Sequence, residues 1–217
     1  MNQPKPKDPV LHNYPGRCQF CYMREQLCIC NLIPEINNQT FVTVIMHQRE
    51  SYKTTNTARL ACMALMNSQI LIRGKVHEPI SQDDLIIENK FKNKNLDYKT
   101  QPLLLTLNSE SQVLSKDLLN QYKKPVHLIV PDGNWRQANK MGQREPALKD
   151  IPWVKLPQGP PSVYRLRREH HPEGLSTLEA MARALTIIES PDIEEQLLSF
   201  FKVMVERTLS TRQNGPT

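Results

Sequence analysis

The feature that most constrains the fold of this chain is a strand, a break and a helix in direct succession over residues 126–141. The apolar run 126–130 has the length and composition of a buried strand, and a proline and a glycine then interrupt it. A helical pattern begins immediately afterwards, carrying Trp135. Asp132 therefore lies at the carboxyl end of a strand and beside a helix N-terminus, where α/β sheets bind ligands. An aspartate in this position can equally be a simple helix cap.

The rest of the chain alternates short apolar runs with amphipathic stretches. Strands are predicted at residues 40–47, 69–73, 102–107, 126–130 and 153–156, and the short apolar run 84–88 suggests a further one. Helices are predicted at residues 57–67, 113–122 and 176–189, with a last helix ending near residue 208. This alternation is typical of an α/β domain that has a mainly parallel sheet and helices on both faces.

Composition narrows the possible partners. The net charge of +6 is compatible with a nucleic-acid partner. Neither Gly-x-Gly-x-x-Gly nor a Walker A motif follows a predicted strand, so the common nucleotide-binding signatures are absent from the sequence. No apolar run approaches the about 20 residues needed to cross a bilayer, and the N-terminus lacks an apolar signal core. We therefore expect a cytoplasmic protein with no membrane association.

Four cysteines, Cys18, Cys21, Cys28 and Cys30, lie close together near the N-terminus. Four thiolates at such spacing can bind one tetrahedral Zn²⁺, and the site would be structural because no coordination position is left for water. An iron–sulfur cluster uses the same ligands and stays an alternative, whereas disulfides are disfavoured in the cytosol. The fifth cysteine, Cys62, lies on an apolar helix face and is interpreted as a buried hydrophobe.

The predicted organisation has four parts. Residues 1–16 are predicted to form a disordered N-terminal tail, 17–36 a zinc-binding segment, 37–209 the main α/β domain and 210–217 a flexible tail. Arg17 and Arg24, beside the cysteines, are either RNA contacts or solvated surface.

Four blocks of the sequence, in order, resemble the DTW-domain family. The first is the cysteine cluster, and the second runs from His47-Gln-Arg-Glu through Thr-Asn-Thr-Ala-Arg-Leu60. The third is Asp132-Gly-Asn-Trp-Arg136, in which Asn134 stands where the family usually has threonine. The fourth runs from Tyr164-Arg-Leu-Arg to Gly-Leu-Ser-Thr-Leu-Glu-Ala180. The resemblance therefore extends over most of the chain.

This resemblance implies a SPOUT-like fold, in which the C-terminal part of the sheet is knotted and the knot binds S-adenosylmethionine. It also implies a tRNA-uridine aminocarboxypropyltransferase. Such an enzyme moves the 3-amino-3-carboxypropyl group of S-adenosylmethionine to N3 of a uridine in tRNA and leaves methylthioadenosine. The implied partner is tRNA, and no protein partner is implied.

The resemblance also assigns roles to individual residues. Asp132 is the candidate base for the uracil N3 proton. The candidate S-adenosylmethionine-binding residues are Asn56, Thr57, Leu107, Pro131, Asp132, Gly133, Trp135, Leu166, Arg167, Ser176 and Thr177. The candidate RNA-binding residues are Arg136, Lys140, Arg165 and Arg168, with Arg144, His170 and His171 extending the same basic runs. Several of these residues have purely structural alternatives, because Asn56 and Ser176 are also well-placed helix caps.

Two other functions stay open at this point. A SPOUT-type RNA methyltransferase would share the fold, the co-substrate and the partner, but would leave S-adenosylhomocysteine. A non-catalytic, zinc-containing RNA-binding protein would not bind S-adenosylmethionine at all. An aminocarboxypropyltransferase acting on ribosomal RNA fits the cysteine cluster and the Ser-Thr-x-Glu-Ala segment less well.

Overall fold

A six-stranded sheet with the strand order β2-β1-β5-β3-β6-β4 organises the chain in the computed structural model. The structure describes residues 13–74, 79–86, 100–108, 110–122, 124–164, 166 and 174–213. The strands are β1 Phe41–His47, β2 Ser68–Arg73, β3 Gln101–Leu105, β4 Gln112–Val113, β5 Val126–Asp132 and β6 Trp153–Lys155. The helices are α1 Gln48–Ser51, α2 Thr57–Ala64, α3 Lys116–Gln121, α4 Trp135–Arg144, α5 Thr177–Ile188 and α6 Pro191–Gln213.

All five strand pairings are parallel, which confirms the prediction of an α/β protein with a mainly parallel sheet. β5 lies near the centre, between β1 and β3, and is buried from Val126 to Val130. A strand covered on both faces needs a continuous apolar sequence. The apolar run 126–130, from which β5 was predicted, is such a sequence.

Alternate residues of the central strands supply two apolar cores, one on each face of the sheet. In β1, Val44 belongs to one core and Ile45 to the other, and Leu128 and Ile129 of β5 divide in the same way. Successive strand residues point to opposite faces, so this division follows from the strand period of two. The first core is covered by α2, α5 and α6, whereas α4 contributes Met141 to the second. Helices therefore cover both faces, as predicted.

The cysteine segment is part of the first core. Cys21, Met23 and Ile29 are each less than a tenth exposed and pack into that core. The Arg207 guanidinium on α6 donates a hydrogen bond to the backbone oxygen of Cys28. Consequently the fold of the N-terminal segment depends on α6, which lies at the opposite end of the sequence.

Two predictions of secondary structure were wrong. Val113, predicted as the first residue of a helix, belongs to strand β4, and α3 begins only at Lys116 because Ser115 caps it. Of the strand suggested for residues 84–88, Asp84 and Leu85 belong instead to a short 3-10 helix, Asp83–Leu85, and residues 87–88 lie outside the described residues. There the backbone N–H and the hydroxyl of Ser81 both donate to Asp84, which stabilises a turn locally. The last helix also extends beyond its predicted end, to Gln213.

Among the described residues, no helix combines the length and the apolar character that crossing a membrane requires.

Candidate active site

The candidate site lies where the carboxyl ends of β1 and β5 meet the N-termini of α2 and α5. Asp132 is the last residue of β5 and is paired with Met46 in the register of β1. The residue is only 5% exposed. A carboxylate loses hydration when it is buried to this degree, so it has to be compensated by polar partners.

Two side chains from distant parts of the sequence donate hydrogen bonds to the Asp132 carboxylate. The Asn56 amide nitrogen donates to Oδ2 at 2.7 Å, and the Thr177 hydroxyl donates to Oδ1 at 2.5 Å. Asn56 is also the N-cap of α2, since its side-chain oxygen accepts from the Arg59 backbone N–H at 2.7 Å. The structure thus brings together three predicted site residues, each fixed by a regular element.

Asp132 is not the cap of the helix that follows it. Asn134 has that position, accepting from the Gln137 backbone N–H at 2.9 Å, while the Gln137 side chain accepts from the Asn134 N–H at 2.8 Å. The capping alternative for Asp132 at α4 was therefore wrong. The same geometry explains Asn134 in place of the family's usual threonine, because both residue types are good N-caps.

A second capping box begins α5. The Ser176 hydroxyl accepts from the Glu179 N–H, and the Glu179 carboxylate accepts from the Ser176 N–H at 2.8 Å. Glu179 also accepts from the Ser162 hydroxyl and the Val163 N–H, both at 2.7 Å. Ser176 thus serves the structural role that the sequence left open. Thr177, the next residue, is the one whose side chain reaches Asp132.

The remaining predicted co-substrate residues are distributed around the same edge of the sheet. Thr57 is buried at the start of α2, and Leu107 is exposed just beyond β3, the neighbour of β5. Pro131 and Gly133 flank Asp132. A side chain at Gly133 would meet Gln137 at 2.9 Å, so the backbone there packs closely against the first turn of α4.

The structure describes only part of the predicted basic surface. Arg136, Lys140 and Arg144 are exposed on α4. Leu166 is half-buried against the first core. Trp135 begins α4, but its side chain lies outside what the structure describes. Outside the described residues altogether are Arg165, Arg167, Arg168, His170 and His171.

His47 lies close to the site but received no role from the sequence. It ends β1, where its Nδ1 accepts from the Arg49 N–H at 3.1 Å and lies 3.3 Å from the Gln137 amide nitrogen. Burial, followed by the nearby Arg49 charge, lowers the pKa of His47, which keeps the imidazole neutral at pH 7. Its signal in the sequence was its place at the start of the second block that resembles the DTW family, directly after an apolar strand.

Arg59 is a second residue that the sequence did not single out. It is 1% exposed, its guanidinium donates to the Ser51 oxygen at 2.8 Å and the Lys53 oxygen at 3.3 Å, and it lies 4.1 Å above the centre of the Tyr22 ring. Arg59 thus connects the cysteine segment to the loop that precedes Asn56. Two signals were available in the sequence: Arg59 belongs to the second block that resembles the DTW family, and it is an arginine inside an otherwise apolar helix.

We expect Arg59→Met to lower the free energy of unfolding by about 3 kcal/mol, because two backbone carbonyls lose a charged donor and Tyr22 loses its cation. Urea unfolding measures the change. The matched control is Arg183→Met. Arg183 lies on α5 and its guanidinium donates to the exposed backbone oxygen of Pro160, so we expect the substitution to lower the free energy of unfolding by under about 1 kcal/mol. Equal effects of the two substitutions would contradict this account of Arg59.

The four N-terminal cysteines form one compact cluster. Their sulfur atoms all lie within 4.8 Å of one another, with Cys18 and Cys30 at 3.6 Å and Cys21 and Cys28 at 3.8 Å. A tetrahedral zinc site with Zn–S bonds of about 2.3 Å requires sulfur separations of about 3.8 Å. None of the chain's five cysteines, all within the described residues, forms a disulfide. The donor set and the separations therefore fit a tetrahedral metal ion.

The thiols in this cluster are strongly coupled. The hydrogen bond with Cys30 lowers the pKa of Cys21 to about 5, and the same bond, with burial, raises the pKa of Cys30. Burial raises the pKa of Cys28. Cys21 is therefore the thiol that ionises, whereas Cys28 and Cys30 keep their protons at neutral pH. A divalent cation bound by all four sulfurs would displace those protons and remove this competition.

Comparisons with known proteins agree with the sequence blocks. A family model described as the DTW domain matches residues 16–209. The chain is 26% identical over 186 residues to "tRNA-uridine aminocarboxypropyltransferase 2" of Macaca fascicularis, which covers 83% of this chain and 59% of that protein. It is 25% identical over 191 residues to the protein of the same name in Drosophila melanogaster, covering 86% of this chain and 72% of the relative.

The mouse protein of that name is 25% identical over 185 residues, which again cover 83% of this chain and 59% of the relative. The chain therefore spans less than two thirds of the macaque and mouse proteins that it matches. No solved structure matches the chain.

Proposed function

Since this chain belongs to the DTW domain family, we propose that it is a tRNA-uridine aminocarboxypropyltransferase that uses S-adenosylmethionine. The observation that carries the proposal is the convergence of Asn56 and Thr177 on the buried carboxylate of Asp132, inside a domain match that covers residues 16–209. The names of the relatives supply the reaction class.

The proposed reaction has a simple atomic balance. The sulfonium of S-adenosylmethionine makes its attached carbons electrophilic, and the γ-carbon of the methionine chain is the one that reacts. A bond forms between uracil N3 and this carbon, while the bond from the carbon to sulfur breaks and leaves methylthioadenosine. The N3 proton has to leave, because protonated N3 is a weak nucleophile. The protein's task is to orient the reactants and to accept that proton.

We assign the proton acceptor to Asp132. Hydrogen bonds from Asn56 and Thr177 orient its two carboxylate oxygens and compensate its burial. In both of these hydrogen bonds the Asp132 carboxylate is the acceptor. Its location at the carboxyl end of the central strand β5 puts it at the edge where parallel sheets bind their ligands.

The other residues of the site bind and position the reactants in this proposal. The N-terminus of α5, at Thr177, offers backbone N–H donors and a positive dipole end for the carboxylate of the co-substrate. The adenosine contacts come from three loops, those at Leu107, at Pro131–Gly133 with Trp135, and at Leu166–Arg167, together with Asn56 and Thr57. Arg136, Lys140, Arg165 and Arg168 bind tRNA phosphates.

A knotted, SPOUT-like arrangement of the C-terminal part of the sheet is part of the proposal. The path of the chain supports it. After β5 the chain crosses to β6, on the far side of β3, and it then returns to the end of β5, where Thr177 contacts Asp132. A knot requires, in addition to this return, that the chain thread through a loop formed by the earlier strands.

We further propose that the cysteine cluster binds a structural Zn²⁺. Cys18, Cys21, Cys28 and Cys30 would complete the coordination of the ion and leave no position for a reactive water. Bound zinc would hold the N-terminal segment against α6. The cytoplasmic location inferred from the sequence stays a prediction.

Calorimetry with the purified chain tests the first requirement of the proposal, which is binding of S-adenosylmethionine. We expect saturable heat and a higher melting temperature in its presence, because a ligand that binds only the folded state stabilises that state. Methionine at the same concentration is the control and should give neither effect. The absence of heat and of a thermal shift at millimolar S-adenosylmethionine would favour the non-catalytic RNA-binding alternative.

A further inference from the structure

A cavity of about 220 Å³ lies between the cysteine segment, the loop before α2 and helix α6. Its apolar wall includes Met23 and Met204, and its polar wall includes Arg17, Arg24, Thr54 and Thr55. No carboxylate is among its described lining residues. The cavity therefore combines two guanidinium groups and hydroxyls with an apolar surface, which suits an anionic ligand that also carries an apolar portion.

The two arginines differ in how they are held. One guanidinium nitrogen of Arg17 donates to the Tyr22 backbone oxygen at 2.9 Å, which fixes that side chain beside the cavity. Arg24 is exposed, and its side chain forms no hydrogen bond or ion pair with any residue that the structure describes. Its fork of N–H donors matches the oxygens of a phosphate group.

The position of this cavity links it to the site around Asp132. Thr55 lines the cavity, and the next residue, Asn56, donates to Asp132. The Tyr164 hydroxyl donates to the Thr55 backbone oxygen at 3.2 Å, and Tyr164 is followed in the sequence by the basic run Arg165-Leu-Arg-Arg. A strand of RNA with its target base near Asp132 would thus pass close to the guanidinium groups that line the cavity.

We propose that this cavity binds one nucleotide of the RNA substrate, adjacent to the target uridine. The backbone phosphate of that nucleotide binds Arg17 and Arg24, and its ribose packs against the apolar wall formed by Met23 and Met204. This inference rests on the proposed function, because it takes the RNA to be the substrate of the same site. It gives the cysteine segment a role in RNA binding as well as in folding.

The test is the affinity for unmodified tRNA, measured by fluorescence anisotropy without S-adenosylmethionine over a series of salt concentrations. For Arg24→Gln we expect roughly a five- to tenfold loss of affinity near 0.1 M salt, and a salt dependence reduced by about one released counterion. Arg24→Lys keeps the charge and should retain the wild-type salt dependence. The matched control is Lys149→Gln, which removes the same charge. Lys149 is exposed and follows Leu148, which belongs to the core on the opposite face of the sheet.

A second variant, Thr54→Glu, adds a carboxylate to the cavity without changing either arginine, and we expect it to weaken tRNA binding as well. Unchanged calorimetric binding of S-adenosylmethionine by each variant confirms that its fold is intact. If Arg24→Gln and Thr54→Glu bind tRNA like Lys149→Gln, the cavity is not an RNA subsite, even when the wild-type chain modifies tRNA. If the wild-type chain does not bind tRNA, this inference and the proposed function are both overturned.

Discussion

Asp132→Asn is expected to bind S-adenosylmethionine nearly as well as the wild-type chain but to transfer the aminocarboxypropyl group about 10²–10⁴-fold more slowly, the range typical of a lost general base. The amide has almost the same shape as the carboxylate and cannot accept the N3 proton. Helix α4 is unaffected by the change, because its cap is Asn134. The measurement is single-turnover transfer to tRNA with saturating S-adenosylmethionine.

A pH series separates proton acceptance from positioning. If Asp132 accepts the proton, the rate of Asp132→Asn should rise with pH, because the uracil N3 proton then leaves unaided. The matched control is Asp150→Asn, which removes an exposed carboxylate outside the site and should transfer at the wild-type rate. Transfer by Asp132→Asn at the wild-type rate would show that Asp132 is not the base. A slow rate that stays constant with pH would indicate a positioning role instead.

The second large effect is expected when metal is removed from the cysteine cluster. A structural zinc site supplies folding free energy on the order of 10 kcal/mol in small zinc domains, and here Cys21 and Cys30 are also part of the first core. We expect close to one zinc per chain, and Cys28→Ser should lose that zinc and expose residues 17–36 to proteolysis. Elemental analysis and limited proteolysis measure these two outcomes.

Cys62→Ala is the matched control for the metal site, because Cys62 is fully buried in α2 and is not part of the cluster. It should keep its zinc and lose only about 1 kcal/mol, the usual cost of a small cavity. Cys28→Ser should still bind S-adenosylmethionine, because the proposed contacts of this ligand lie at the carboxyl ends of the strands, outside the cysteine segment. Visible absorbance from iron and sulfide in the purified protein would contradict the assignment of zinc.

The central strands and the position of Asp132 could be predicted from the sequence for a physical reason. A strand buried on both faces has to be continuously apolar, and the break after residues 126–130 marks its end. The spacing of the four cysteines likewise restricts their chemistry. The resemblance to the DTW family included Asn56 and Thr177 among the candidate site residues. Their hydrogen bonds to Asp132 were not predicted, because they lie 76 and 45 residues away from it in the sequence.

Other features depend on tertiary contacts that leave little trace in the local pattern. Strand β4 has only two residues, both exposed, so no periodicity could reveal it. The bond from Arg207 to the Cys28 backbone joins the two ends of the chain. The contact of Arg59 with Tyr22 depends on how α2 packs against the cysteine segment. These interactions follow from packing, and a pattern within one segment does not contain them.

The central claim is that the methionine side chain of S-adenosylmethionine, not its methyl group, is transferred to tRNA. S-adenosylmethionine labelled either in the carboxyl carbon or in the methyl group tests this directly, with label counted in tRNA after incubation with the chain. We predict that the carboxyl label enters tRNA and the methyl label stays in methylthioadenosine. Methyl label in tRNA, with S-adenosylhomocysteine as the by-product, would contradict the account and identify the chain as a methyltransferase.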